Sequence, residues 1–171
     1  VTRYAVLLRG VNVGGVNLKM AEVASTFESA GFTGVRTILA SGNVLLDSRK
    51  DTAAVRDTAQ KALRETFGYD AWVLVYPLDV VAAISAAFPF EREVDGHHSY
   101  VTFVSDEQVL DELAALPEGA HEKIARGDGV IYWQVPRSAT LATTIGKTMG
   151  KKRYKSATTT RNLRTVDKLL R

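Results

Sequence analysis

The chain has no cysteine among its 171 residues. That excludes disulfides, thiolate zinc sites, iron–sulfur clusters and cysteine nucleophiles together. It has three histidines, His97, His98 and His121, and no His-x-x-x-His pair. Neighbours in an extended segment point to opposite faces, so no metal site is expected. It lacks a long apolar run. The longest near-continuous stretch, Val80 to Phe88, falls far short of the roughly 20 residues that cross a bilayer. The first residues enter a strand without a charged-then-apolar leader. These absences point to a cytoplasmic protein with no membrane partner. Nucleotide signatures are missing too. The glycines at 10, 14 and 15 are not spaced as G-x-G-x-x-G, and Leu141 stands where a P-loop ending in Gly146-Lys147-Thr148 needs its first glycine. Ser41 has no G-x-S-x-G setting. Glu91, Glu93 and Asp95 read as a solvated polar loop, and no cofactor is expected.

What is present is an ordinary globular composition, 46% hydrophobic and 24% charged. The length suits one domain, or two small ones sharing a core. The formal charge of +3 hides an asymmetry. Residues 137–171 hold ten basic side chains and one acid, Asp167, a charge of +9, while the other 136 residues carry −6. Such a basic segment suits a polyanion partner, or it docks on its own acidic body.

Periodicity gives the element order. Tyr4 to Leu8 is an apolar strand, and Lys19 to Ala30 a helix with Met20, Val23, Ala24 and Phe27 on one face. Val35 to Ala40 and Val44 to Leu46 are strands joined by the tight turn Ser41-Gly42-Asn43. Asp51 or Thr52 caps a helix running to Phe67, and Trp72 to Tyr76 is a fourth strand. This is βαββαβ, the ferredoxin-like order. After a connecting helix from Asp79 to Phe88, a similar order returns. It comprises a strand over Ser99–Val104, a helix over Asp106–Leu116, a hairpin around Gly127-Asp128-Gly129 and a helix capped by Ser138. Thr160 is expected to cap a last helix carrying Leu163, Val166 and Leu169. The fold class expected is α+β: tandem ferredoxin-like units fused into one compact architecture with C-terminal helices. The boundaries are 1–77 for the first unit, 78–137 for the second and 138–171 for a basic helical segment. The first-unit strands are apolar without alternation, so both faces of their sheet should be covered.

Chain direction in βαββαβ puts the first strand–helix loop and the strand 2–strand 3 turn at one end of the sheet. Arg9, Asn12, Asn17, Lys19, Ser41 and Asn43 would gather there around backbone freed by Gly10, Gly14 and Gly15. The first helix presents its unpaired N–H groups to the same spot, which suits a phosphate or another anion. The alternative is that Gly and Asn merely close tight loops.

These residues carry a resemblance. Leu7-Leu8-Arg9-Gly10-Val11-Asn12-Val13-Gly14-Gly15, with Asn17, Lys19 and Met20, resembles the opening of the DUF1697 family of bacterial proteins. Ser41-Gly42-Asn43-Val44 resembles its second signature, and Thr159-Thr160-Arg161-Asn162 with Thr165-Val166 and Lys168-Leu169 its C-terminal one. Leu163 departs from the aromatic that relatives often carry there. The resemblance implies an α+β fold of ferredoxin-like units and no reaction. It adds Thr160, Arg161 and Asn162 to the candidate ligand-binding set.

A separate candidate for nucleic acid is the run Lys147, Lys151, Lys152, Arg153 and Lys155, with Tyr154 interleaved for stacking. No RNA-recognition signature accompanies it, since strand 3 is Val44-Leu45-Leu46. The reading favoured by the residues is a polyanion-binding module, for nucleic acid or a phosphorylated small molecule. The alternative is a small-molecule enzyme with its site at the converged Arg9–Asn17 and Ser41–Asn43 loops. No catalytic residue is assigned, and oligomeric state is not legible.

Overall fold

The computed structural model describes residues 1–12, 16–119, 121–138, 148, 151, 154 and 156–171. It is a mixed α+β structure with two four-stranded antiparallel sheets and, among the described residues, five helices. The chain divides into two compact units, Val1–Ala82 with Lys168–Arg171, and Ala83–Asp167.

The first unit contains β1 (Thr2–Leu8), α1 (Met20–Ser29), β2 (Thr33–Thr37), β3 (Asn43–Ser48), α2 (Thr52–Phe67) and β4 (Val73–Pro77). Its sheet runs in the order β2-β3-β1-β4. Tyr4, Val6 and Leu8 of β1, with Val44, Leu46, Val73 and Val75, join Val23 and Phe27 of α1 and Val55, Ala59 and Leu63 of α2 in one core. Ala5, Leu7, Leu45 and Leu74 point to the other face and are buried as well. That is why these strands read as continuous apolar runs instead of alternating. Asp51 caps α2, its carboxylate accepting from Ala54 N–H, and Gly68 ends the helix at φ 67°. The second strand departs from expectation. It stops at Thr37, because Leu39 turns the chain with a φ of 62°.

α3 (Leu78–Ala86) leads on to β5 (His97–Val104), α4 (Glu107–Ala114), β6 (Lys123–Arg126), β7 (Val130–Pro136), β8 (Thr158–Asn162) and α5 (Leu163–Leu169). The second sheet is ordered β6-β7-β5-β8. Read by position within each unit, this order matches that of the first sheet. Asp106 caps α4, accepting from Gln108 and Val109 N–H.

Here the sequence reading needs correction. Thr160 does not cap a helix. It lies in β8, pairing with Thr102 of β5, and Asn162 makes the cap, its Oδ1 accepting from Arg164 N–H at 2.8 Å. The Thr158–Asn162 strand has no apolar residue, so neither helical nor strand periodicity could reveal it. Of the helix expected from Ser138 to Met149, only Ser138 and Thr148 are among the described residues.

Candidate functional site

The candidate loops do meet at one end of the first sheet. The β1 ladder continues past Leu8: Leu8 N–H donates to Gly42 O at 2.8 Å and Arg9 N–H to Trp72 O at 3.1 Å. Continuing the register from Leu7↔Asn43 and Leu8↔Val73 sets Ser41, Arg9 and Trp72 in one row across the three strand ends. Gly42 makes the approach feasible. A Cβ there would lie 2.7 Å from Val11 Cγ2 and 2.8 Å from Leu8 Cβ, and its φ of +88° is itself unsuited to other residues.

The asparagines hold the loops together. Asn12 donates through Nδ2 to Ala40 O at 2.6 Å and to Leu18 O at 3.1 Å, while its Oδ1 accepts from Leu18 N–H. It takes a left-handed φ of 58°, which Asn tolerates. Asn43, fully buried, donates to Ile38 O and Ser41 Oγ, both at 2.8 Å. These two side chains therefore serve loop closure, the structural alternative raised by the sequence. Asn17 and Lys19 are exposed. Lys19 stands at the N-cap of α1 and makes no side-chain cap. The first backbone N–H groups of that helix are thus left to other acceptors. Gly14 and Gly15 lie outside the described residues.

Arg9 differs from its neighbours. Its Nε is buried and, among the described residues, has no hydrogen-bond partner. Burial lowers the pKa of the guanidinium below its ordinary value, because a charge removed from water is destabilised. Beside it, Trp72 remains 39% exposed. The Arg64 guanidinium lies 5.0 Å from the Trp72 ring centroid, and Trp72 Nε1 donates to Asp70 Oδ2 at 3.3 Å. Leu39, also at this end, is 47% exposed and holds its φ of 62° without the side-chain hydrogen bonds that ease Asn into that region. A bulky residue at positive φ is strained. Trp72 and Leu39 were not singled out from the sequence. The pairing of Leu8 with Val73 could have placed Trp72 beside Arg9, but only once the register was known.

The C-terminal candidates sit in the second unit. Thr160 Oγ1 shares a 2.8 Å hydrogen bond with Thr102 Oγ1, which also accepts from Trp133 Nε1 at 3.0 Å. Arg161 is buried and donates to Thr159 Oγ1 at 2.6 Å and Thr160 O at 3.0 Å. Burial brings its pKa down to about 10. Of the basic run, Lys151 is exposed, and Lys147, Lys152, Arg153 and Lys155 lie outside the described residues. Tyr154 cannot serve for stacking. It is buried in the core with Val104, Leu110, Ile131 and Trp133. Among the described residues no group of three His, Asp or Glu could hold a metal ion, and no helix is long and apolar enough to cross a membrane.

A family model described as a protein of unknown function, DUF1697, matches residues 1–132. The chain belongs to the DUF1697 family. The match contains the Arg9–Asn17 and Ser41–Asn43 loops and ends before the Thr159–Asn162 block. A conserved bacterial protein from Streptococcus pneumoniae, SP0830, has a similar solved structure, with a TM-score of 0.85 and 24% identity over 99% of this chain and 98% of that one. This DUF1697 protein shares that fold. No curated protein matches it.

Proposed function

We propose that this protein binds a phosphorylated small molecule at the loop end of the first sheet, with Arg9 as the anion-holding group. The two sheets are read as tandem ferredoxin-like units, and the loop end is where the first unit presents its irregular backbone. One observation carries the reading: among the described residues, Arg9 Nε is buried without a partner. An incoming phosphate would satisfy that donor and offset the desolvation of the charge. The uncapped α1 N-terminus with Lys19 adds positive potential nearby. Trp72, exposed in the same row, offers a face to a planar group, which favours a nucleoside phosphate over a bare anion. Asn12 and Asn43 act as positioning residues, fixing the loops that flank Arg9. The nucleic-acid reading loses its stacking residue with the burial of Tyr154 and keeps only charge.

The test is quenching of tryptophan fluorescence by nucleoside monophosphates at low and physiological salt. Trp72 is exposed and Trp133 buried, so the signal reports mainly on Trp72. Wild type should show saturable quenching that weakens with salt. In Arg9→Gln, affinity should fall about tenfold or more, the scale of a lost charge-assisted hydrogen bond, with the melting temperature retained. Unchanged affinity in Arg9→Gln, or no quenching in wild type at low salt, refutes the reading.

A further inference from the structure

A different site lies within the second unit. Residues at the start of β5, the end of β8 and the start of α5 surround a cavity of about 190 Å³. Arg92, Arg137 and Arg164 line it together with His98, Ser99 and Asn162. The acids on its wall are Glu93, Asp95 and Asp167, and they do not neutralise these arginines equally. Asp167 is engaged by Arg92, whose Nη2 lies 2.8 and 3.0 Å from its two oxygens, and Ser85 donates to the same carboxylate. Among the described residues, Arg137 and Arg164 have no carboxylate within 4 Å.

The neutral groups add donors. Ser99 Oγ accepts from Gln134 Nε2 at 2.9 Å, which leaves its hydroxyl proton to give. Asn162 accepts through Oδ1 from Arg164 N–H, so its amide NH2 is the end left for the cavity. His98 records the potential at this place. Its proton affinity is lowered, first by partial burial and then by Arg137 and Arg164. A ring lining the same cavity as two guanidiniums that have no ion-pair partner among the described residues resists taking a further positive charge.

We propose that this cavity is a second anion site, built to hold one phosphate-monoester group between Arg137 and Arg164. Two uncompensated arginines match the charge of −1.5 to −2 of a phosphate monoester near pH 7, whereas a carboxylate would leave one of them unmatched. Size sets the ligand class. The volume is below the roughly 300 Å³ at which pockets enclose whole drug-sized ligands. The site therefore takes a phosphate group alone, with the remainder of the molecule outside. Ser99 and Asn162 supply the lateral hydrogen bonds, and Arg92 is held in place by Asp167. This inference does not depend on Arg9 or on the first sheet.

Calorimetric titration of the full chain with inorganic phosphate and with acetate, at matched ionic strength, tests it. NMR of the His98 ring would follow the same titrations. Phosphate should bind and raise the pH at which His98 titrates, and acetate should bind at least about tenfold more weakly. Arg137→Gln and Arg164→Gln should each weaken phosphate about tenfold or more, and the double variant should lose it. Arg9→Gln, which acts on the first sheet, should leave the His98 response to phosphate intact. Both arginines are exposed, so their variants should fold, and Arg137→Lys with Arg164→Lys retains the charge if they do not. The proposal is overturned if wild type neither binds phosphate nor shifts His98, or if the double Gln variant binds as wild type does. It is also overturned if acetate binds equally well. Phosphate affinity lost in Arg9→Gln but kept in the double variant would move the phosphate site to the first sheet and refute this one.

Discussion

The two sheets share a strand order and solve burial in opposite ways. The first is apolar through its thickness: every residue of β1 from Tyr4 to Leu8 is buried, as are Val44, Leu45 and Leu46 of β3. The second buries polar side chains and satisfies them. Thr102, Trp133 and Thr160 form a hydrogen-bonded chain. Gln134 reaches Glu91 O and Ser99 Oγ, and Tyr132 donates to Ile84 O at 2.6 Å. Arginine shows the same contrast. Arg9 closes the apolar sheet with its Nε unpartnered among the described residues, while Arg161 lies inside the polar sheet with partners on its own strand. An apolar sheet is specified by composition and tolerates rearrangement among hydrophobes. A polar one is specified by geometry, because each buried donor needs its acceptor.

The largest effect should come from breaking the close approach that closes the first sheet. Gly42→Ala places a Cβ against Val11 and Leu8 at a left-handed φ. It should cost about 3 kcal/mol by urea denaturation, the sum of overpacking and backbone strain. A loss below about 1 kcal/mol would mean that the turn relaxes freely. Next comes the polar chain of the second sheet. Thr102→Val keeps the shape and removes the hydroxyl, leaving Trp133 Nε1–H and the Thr160 hydroxyl without that partner. The expected loss is about 2 kcal/mol. A neutral result would show that the second sheet is held by packing, as the first is.

Leu39→Gly should move stability the other way. Glycine at φ 62° relieves strain and should gain about 1 kcal/mol, since the exposed leucine gives up little burial. If the strain serves the loop end, nucleoside-phosphate quenching should weaken in the same variant. Equal binding with higher stability would mark Leu39 as a turn residue only. The smallest effect is on pH dependence. His98 holds its proton less tightly when folded than when unfolded, so the unfolded chain binds more protons in the window below the ordinary histidine value. Stability therefore falls as pH drops through about 6.5. Arg137→Gln with Arg164→Gln should shallow that slope, and an unchanged slope would place the arginines too far from the ring to matter.

Legibility followed the same contrast. β1, β3 and β4 announced themselves through apolar runs, whereas β2 is Thr-Gly-Val-Arg-Thr and largely exposed. The α2 cap was readable to within one residue, Asp51 or Thr52, because capping needs only one side chain and its following N–H groups. β8 was invisible. Thr-Thr-Thr-Arg-Asn is a strand only because β5 supplies its hydrogen bonds and Thr102 a hydroxyl at the right register. Gathering of the Arg9 and Ser41 loops followed from strand direction alone. That Asn12 and Asn43 close those loops, and that Arg9 keeps a buried donor unpaired, did not. Tyr154 was misread because its neighbours are cations, while its own ring packs with Ile131 and Trp133.

By itself the sequence determined the local and the periodic: the helices α1 to α4, the apolar burial of β1, β3 and β4, and which loops share an end. Those properties depend on neighbours a few residues away or on chain direction. Tertiary structure alone decided β8, the burial of Arg9 Nε, and the meeting of His98, Arg137 and Arg164 around one cavity. Each of these depends on register and packing between residues far apart in the chain, where a displacement of one position reverses the face and changes the chemistry.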